Sequence, residues 1–159
     1  MELYDDALPQ VYGYLLARCG ARAVAEDLTA ETFLAAVTAC RRTPPPAPST
    51  GWLIGIARHK LVDHWRAAER ERRAAVGTEP DPPDDPWDER VDALFARDVL
   101  ARQTGLHRAV LTLRHVDGLP VADVAHALGR TVGATEALLA RARAAFRRTY
   151  AALGEGGPR

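Results

Sequence analysis

The chain has 159 residues, enough for one domain of ordinary size or for two small ones. Hydrophobic residues make up 47% and charged residues 26%, and no apolar run is long enough to cross a membrane. The acidic start MELYDDAL lacks the apolar segment of a signal peptide, and Cys19 and Cys40 lack metal-ligand spacing. We therefore expect a cytoplasmic protein with reduced thiols and no membrane insertion.

The formal net charge is zero, but the charge is unevenly distributed along the chain. Residues 1–76 hold ten basic and nine acidic side chains, residues 77–90 hold one and six, and residues 91–159 hold ten and six. Local charge, rather than the total, determines whether a surface attracts nucleic acid. The acidic middle segment therefore conceals a C-terminal part with a net positive charge.

The N-terminal part is predicted to be helical, because apolar residues recur every three or four positions and no alternating strand pattern occurs. The first predicted helix covers residues 3–19, and Gly20 suits the residue that ends a helix. The second predicted helix covers residues 24–40. Its predicted inward side consists of Leu28, Phe33, Leu34 and Val37.

A Pro-rich break, TPPPAPSTG, precedes a third predicted helix at residues 51–72, which Ser49 or Thr50 can cap. Its predicted core face consists of Leu53, Ala57, Leu61, Trp65 and Ala68. Its opposite face carries Trp52, His59, Asp63, Arg66 and Arg70. An aromatic ring beside cations can stack on an unpaired base while the cations hold phosphates. Alternatively, Trp52 simply attaches the Pro-rich break to the helices.

The next segment, VGTEPDPPDDPWDER, contains four prolines and an acidic cluster. Proline blocks helix formation and like charges repel, so this segment is predicted to be an extended linker. Two helices are predicted after it, at residues 91–102 and 106–116, separated by Thr104 and Gly105.

The C-terminal segment, PVADVAHALGRTVGATEALLARARAAFRR, has the pattern of a helix-turn-helix. Pro120 opens a short helix to Leu128, Gly129 closes it, and Thr131 caps a longer helix that ends near Leu153. The predicted inner positions of the two helices are Val121, Val124, Ala125 and Leu128, then Val132, Thr135, Leu139, Ala142, Phe146 and Tyr150.

Arginines occupy the opposite face of the last helix, at Arg141, Arg147 and Arg148. A basic face on a helix-turn-helix indicates nucleic-acid binding, although two solvated helices of a bundle could show the same pattern. The predicted fold class is therefore all-α. Two small helical domains are expected at residues 1–74 and 91–155, the second a helix-turn-helix domain, joined by the acidic Pro-rich linker at residues 75–90.

Three stretches, AEDLTAETFLAAV, WLIGIARHKLVDHWR and LTLRHVDGLPVADVAHALGRTVGATEALLARARAAFR, together resemble the extracytoplasmic-function (ECF) type of bacterial sigma factor. The resemblance covers nearly the whole chain. It implies an N-terminal domain that binds the clamp of core RNA polymerase and opens the minus-ten promoter element. It also implies a C-terminal domain that reads the minus-thirty-five element. Core RNA polymerase and promoter DNA are then the expected partners, with an anti-sigma factor as a further one.

The resemblance also implies roles for particular residues. The polymerase-binding residues are Asp27, Glu31, Thr32 and Phe33. The minus-ten residues are Trp52, Arg58, His59, Asp63 and Arg66, with the Pro-rich break holding a flipped base. The minus-thirty-five residues are Arg130, Thr131, Thr135, Glu136 and Arg141.

The chain departs from the family pattern at two places. His59 stands where the family usually has Asn, and an imidazole can still donate and accept hydrogen bonds. The family sequence GTVKSRL is GATEALL here, so Lys, Ser and Arg are replaced by Glu136, Ala137 and Leu138. We therefore expect the last helix to bind DNA through phosphate contacts more than through base edges, with Arg130 and Thr135 as the best direct readers.

An enzyme is one alternative. His59 and His64 lie five residues apart around Asp63, and His107 and His115 lie eight apart, whereas helical zinc hydrolase sites use histidines four apart. The sequence contains no phosphate-binding glycine loop and no nucleophile elbow. We therefore predict no catalytic residues, no metal site and no cofactor.

Two further alternatives keep the helix-turn-helix. The first is a transcriptional regulator with an effector-sensing N-terminal domain, which would bind duplex DNA alone, usually as a dimer. The second is a sigma-like protein with degenerate minus-thirty-five recognition that sequesters partners. The stretch AEDLTAETF favours a sigma factor.

Overall fold

A computed structural model describes residues 2–76 and 93–155. Most of the linker predicted for residues 75–90 therefore lies outside the described residues, whereas residues 75 and 76 are helical. Within these ranges the chain forms seven α-helices and no strand. The helices are α1 Glu2–Cys19, α2 Arg22–Cys40, α3 Thr50–Val76, α4 Ala93–Ala101, α5 Gly105–Leu111, α6 Val121–Leu128 and α7 Val132–Glu155. The all-α prediction is confirmed. None of the described helices is long and apolar enough to span a membrane.

The chain folds into two compact units, Met1–His64 and Trp65–Arg159. In the first unit, α1 packs on α2 through Ala7, Val11 and Leu15, all fully buried. These residues recur at intervals of four and so lie on one side of the helix. As predicted, α1 ends at Gly20, whose φ of 69° lies in the left-handed region that favours glycine.

The predicted inward side of α2 was only partly right. Leu28 is buried, but Leu34 and Val37 are 68% and 53% exposed. The buried side instead consists of Ala25, Leu28, Thr29, Thr32 and Ala36.

Threonines can occupy this buried side because each hydroxyl bonds to the carbonyl one turn earlier. Thr29 Oγ1 donates to Ala25 O at 2.6 Å and Thr32 Oγ1 donates to Leu28 O at 2.7 Å. Satisfied in this way, a threonine packs like a small apolar residue. The two large apolar residues therefore remain on the outer face of α2.

Ser49 caps α3, since the backbone N–H of Trp52 donates to Ser49 Oγ at 3.1 Å. The buried residues of α3 include Leu53, Ala57, Leu61 and Trp65, as predicted, together with Val62. Ala68, which was predicted to be in the core face, is exposed. The buried ladder continues instead at Glu69, four residues after Trp65.

The second unit is built around α5 and α7. Leu106, Ala109 and Val110 of α5 are buried, and so are Leu139 and Ala142 of α7. At one end of α7 the rings of Phe95 and Tyr150 meet edge to face, with centroids 4.6 Å apart. A π-helical turn, Thr112–Val116, continues α5 where the sequence predicted one uninterrupted helix.

The turn between α6 and α7 has the predicted capping residues. Gly129 has φ of 63° and ends α6, and the N–H of Arg130 donates to Ala125 O at 2.9 Å. Thr131 caps α7, because its Oγ1 accepts a hydrogen bond from the N–H of Ala134 at 3.1 Å. These bonds fix the angle at which α7 leaves the turn.

Two positions of α7 differ from the prediction. Val132, predicted to lie inside, is 45% exposed, because it is the first residue of the helix and lies beyond the packed layer. Leu138, placed among the outward family positions, is only 3% exposed. Leu138 lies between Thr135 and Ala142 on the buried side. An arginine at this position, as in the family pattern, would have to extend its charged group to solvent.

We expect Gly105→Ala to destabilise the second unit by about 1–3 kcal/mol, as overpacking commonly does. A Cβ at Gly105 would lie 2.6 Å from Glu69 Cβ and 2.8 Å from the carbonyl oxygen of Trp65, and that backbone atom cannot easily move. Urea denaturation followed by circular dichroism measures the effect. Gly133→Ala is the control, because nothing lies within 4 Å of its added Cβ. Equal urea midpoints for the two variants would show that this packing is unimportant.

Candidate polymerase and nucleic-acid interfaces

The outer face of α2 combines acidic and apolar side chains. Asp27 and Glu31 are both exposed and lie four residues apart, and Leu34 follows on the same side. Neither carboxylate forms an ion pair or a hydrogen bond with another described residue. This strip of Asp27, Glu31 and Leu34, called here the α2 strip, is available to a partner surface carrying positive charge and an apolar pocket.

The other two predicted polymerase-binding residues lie elsewhere. Thr32 is completely buried and bonds to Leu28, so the structure contradicts a partner contact by its side chain. Phe33 is half-buried and meets Tyr4 edge to face with centroids 4.9 Å apart. Its ring lines a groove between α1 and α2, away from the α2 strip.

Four of the five predicted minus-ten residues lie on the outer side of α3, whereas Arg58 lies on the buried side, one turn before Leu61 and Val62. His59 and Asp63 are exposed, one turn apart, while Trp52, Arg58 and Arg66 are half-buried. The core side of the same helix is closed, with Leu53 and Leu61 at 3% and 1% exposure. Apart from Ala68, which is exposed, the core side of α3 is the one that the helical spacing predicted.

Glu69 is a buried carboxylate that the sequence reasoning did not single out. It is 6% exposed, and Arg72 and Arg73 approach its Oε1 at 2.9 Å and 3.2 Å. The hydrogen bond from Arg72 is the main reason that the pKa of Glu69 lies below its usual value. The sequence does carry a signal for this buried ion pair. Glu69 follows Trp65 by one turn on the core face, and arginines follow Glu69 by three and four residues.

The second unit brings Arg66 and Arg130 to one pocket, which Glu69 and other arginines of α3 also line. Burial lowers the pKa of Arg130, and the nearby charges of Arg73 and Arg141 lower it further. Four arginines line this pocket, and Glu69 is the one carboxylate among its lining residues. Such an excess of positive charge attracts anionic groups such as phosphate.

The predicted minus-thirty-five residues fall into three groups. Glu136 is exposed, and Arg130 and Arg141 are half-buried. Thr131 is exposed, but its hydroxyl already caps α7. Thr135 is completely buried and its hydroxyl donates to Thr131 O at 2.8 Å, so the structure contradicts direct base reading by Thr135.

The arginines at the C-terminal half of α7 also differ in their surroundings. Arg148 is exposed and Arg147 is half-buried. Arg143 Nε donates to His115 Nε2 at 3.3 Å. Burial, followed by the charges of Arg143 and Arg114, lowers the pKa of His115, so this imidazole favours its neutral, accepting form.

No group of three or more His, Cys, Asp or Glu residues among the described residues could hold a metal ion. The candidate functional surfaces of this part of the chain are the helix faces described above.

Comparison with known proteins identifies both halves of the chain. Residues 3–71 match sigma-70 region 2, and residues 106–146 match sigma-70 region 4. The ECF RNA polymerase sigma factor SigL of Mycobacterium tuberculosis is 31% identical over 157 residues, which cover 96% of this chain and 89% of SigL. The chain belongs to the ECF sigma factor family.

The ECF sigma factor BldN of Streptomyces coelicolor is 33% identical over 147 residues, or 88% of this chain, but the chain spans only 56% of BldN. A fold match comes from the solved complex of the sigma factor RpoE with the anti-sigma factor NepR from Bartonella quintana. There the TM-score is 0.54 at 18% identity, over 93% of this chain and 94% of the matched chain. The family predicted from the sequence is confirmed.

In this ECF sigma factor, Trp65→Ala should lower the free energy of unfolding by about 3–5 kcal/mol, since it removes a buried ring at 4% exposure. Trp52→Ala should cost much less, because Trp52 is half-buried at the start of α3. Urea denaturation of the two variants side by side gives the comparison. If Trp52→Ala proved to be the more destabilising change, the assignment of the two faces of α3 would be wrong.

Proposed function

We propose that this chain binds core RNA polymerase and directs it to specific promoters as an ECF sigma factor. The observation that carries the proposal is the presence of region 2 and region 4, in that order, on one chain. A transcriptional regulator with an effector-sensing domain needs no region 2, so that alternative is not favoured. The proposed functional domains are residues 1–74 and 91–155, with residues 75–90 as a linker, and the compact units of the fold divide earlier, between His64 and Trp65.

The α2 strip is the proposed polymerase-binding surface. Two carboxylates without partners among the described residues attract a basic surface, and their attraction weakens as salt rises. The 68% exposed Leu34 adds an apolar contact at the centre of such an interface, where burial contributes most of the affinity. Phe33 supports this surface from the inner side of α2 by packing on Tyr4.

The outer side of α3 is the proposed minus-ten surface. His59 and Asp63 can donate or accept hydrogen bonds at the base edges of an opened strand. Arg58 and Arg66 supply positive charge for its phosphates, and Trp52 offers a ring on which a base can stack. This role suits a half-buried tryptophan, which keeps one part of its ring accessible.

The α6–α7 helix-turn-helix is the proposed minus-thirty-five surface. Arg130, Arg141 and Arg148 supply affinity through phosphate contacts, which position the helix without reading sequence. Thr131 contributes by capping α7. The N-terminal N–H groups of a capped helix can bind a phosphate of the DNA.

Removing one phosphate-binding arginine is expected to reduce the salt slope of binding by about one.

The proposed role is one of binding and positioning, without catalysis by this chain and without a cofactor. It places the protein in the cytoplasm, where it would meet polymerase and promoter DNA. The sigma factor RpoE in the matched complex is bound to an anti-sigma factor, and we propose a partner of that class for this chain.

Run-off transcription with core RNA polymerase tests this function. Fragmented genomic DNA from the source organism is transcribed with and without the full chain, and the transcript starts are mapped. We expect new starts that share two sequence elements at a constant spacing and depend on the chain. The same transcripts in both reactions would rule out the function.

Reversing both charges of the α2 strip, with Asp27→Lys and Glu31→Lys together, should abolish pull-down of core polymerase. Both side chains are exposed, so the far-ultraviolet circular dichroism should be unchanged. The matched control is the double variant Glu71→Lys and Asp98→Lys, which changes the net charge equally at exposed positions outside the strip. Unchanged pull-down by the strip variant would place the polymerase contact elsewhere.

A further inference from the structure

The N-terminal half of α7 presents an unusual pair of side chains. Val132 is 45% exposed although it is apolar, and Glu136 is exposed one turn later on the same side. No described residue forms an ion pair or hydrogen bond with Glu136. Packing and pairing within the described residues therefore explain neither the exposed valine nor the exposed carboxylate.

Of the two residues expected to read bases directly, Arg130 and Thr135, burial excludes Thr135. Thr135 is buried, the Thr131 hydroxyl is used as a cap, and Arg130 is half-buried. The first turns of a recognition helix normally reach the base edges in the major groove. In α7, Val132 and Glu136 are the exposed side chains of these turns that extend beyond a Cβ or a capping hydroxyl.

We propose that Val132 and Glu136 determine promoter specificity by reading a thymine methyl group and a nearby cytosine amino group. Valine methyls bury the C5 methyl of thymine, which projects into the major groove. The Glu136 carboxylate accepts a hydrogen bond from N4 of cytosine, and it repels guanine, whose major-groove edge has only acceptors.

The spacing of the two side chains fits this reading. Residues four apart on a helix have Cβ atoms about 5–6 Å apart, and successive base pairs rise by about 3.4 Å. Val132 and Glu136 therefore reach bases within one or two steps of each other. The arginines farther along α7 offset the repulsion between Glu136 and phosphate, so that affinity and specificity come from different residues.

The inference rests on the proposed function only in placing α7 in the major groove of an upstream element. The test is a selection from random duplexes by the full chain, in one arm with core polymerase and in the other without. Each thymine of the enriched site is then replaced by deoxyuracil, which removes only the C5 methyl.

For the native chain we expect one deoxyuracil replacement to weaken binding about fourfold, which corresponds to about 0.8 kcal/mol for one buried methyl. Val132→Ala should bind the thymine and deoxyuracil sites equally. Val116→Ala is the matched control, because Val116 is 53% exposed and lies outside α7, and it should keep the fourfold ratio.

Inverting the adjacent C·G pair should weaken binding by the native chain at least fivefold. Glu136→Gln should reduce this ratio, and Glu155→Gln, an exposed carboxylate at the far end of α7, should preserve it. Thermal melting should show that all four variants fold.

The proposal is overturned if no site is enriched, if no deoxyuracil replacement matters, or if Val132→Ala keeps the native thymine-to-deoxyuracil ratio. Equal enrichment with and without polymerase would count against the proposed sigma function instead. In that case the deoxyuracil ratio still decides whether Val132 reads a methyl group.

Discussion

The hydrogen bond from a buried threonine hydroxyl to the carbonyl one turn earlier allows α2 and α7 to pack polar residues on their buried sides. Thr29 and Thr32 form it in α2, and Thr135 forms it in α7. The bond satisfies the hydroxyl, so a small polar residue can occupy a helix contact at little cost. The buried side of α2 consists mostly of small residues, and its larger apolar residues Leu34 and Val37 lie on the outer face.

A second constraint concerns charge at the end of α3. The buried ladder of this helix continues from Trp65 to a carboxylate, and a buried charge is tolerated only when it is paired. Arg72 and Arg73 supply the pairing, and they extend from the same helix, so the ion pairs form with few non-local contacts. The guanidinium of Arg108 also lies 5.3 Å from the ring centroid of Trp65, which keeps positive charge beside the same surface.

Much of this fold could be predicted from the sequence because its signals are local. These signals depend on neighbours within one or two turns. They are the glycines at helix ends, the caps Ser49 and Thr131, and the division of α3 into two faces. Hydropathy failed where side-chain chemistry depends on context. It treated buried threonines as polar, placed Leu34 inside because it is apolar, and chose Ala68 over Glu69 because a buried ion pair is not visible in an apolar pattern. For α7 the sequence predicted an exposed Glu136, but it placed Val132 inside and did not show that Thr135 is buried.

The chemistry of α7 follows from combining these effects along one helix. A recognition helix that carried only arginines would bind any duplex, because phosphate contacts are the same at every sequence. An exposed carboxylate in the first turns lowers affinity for all duplexes, but it lowers it least where an amino group can satisfy it. In the role proposed for it, Glu136 converts nonspecific attraction into discrimination at a cost in affinity. Such a cost is tolerable if the α2 strip binds polymerase as proposed, because linked binding sites compensate for a weak contact at each one.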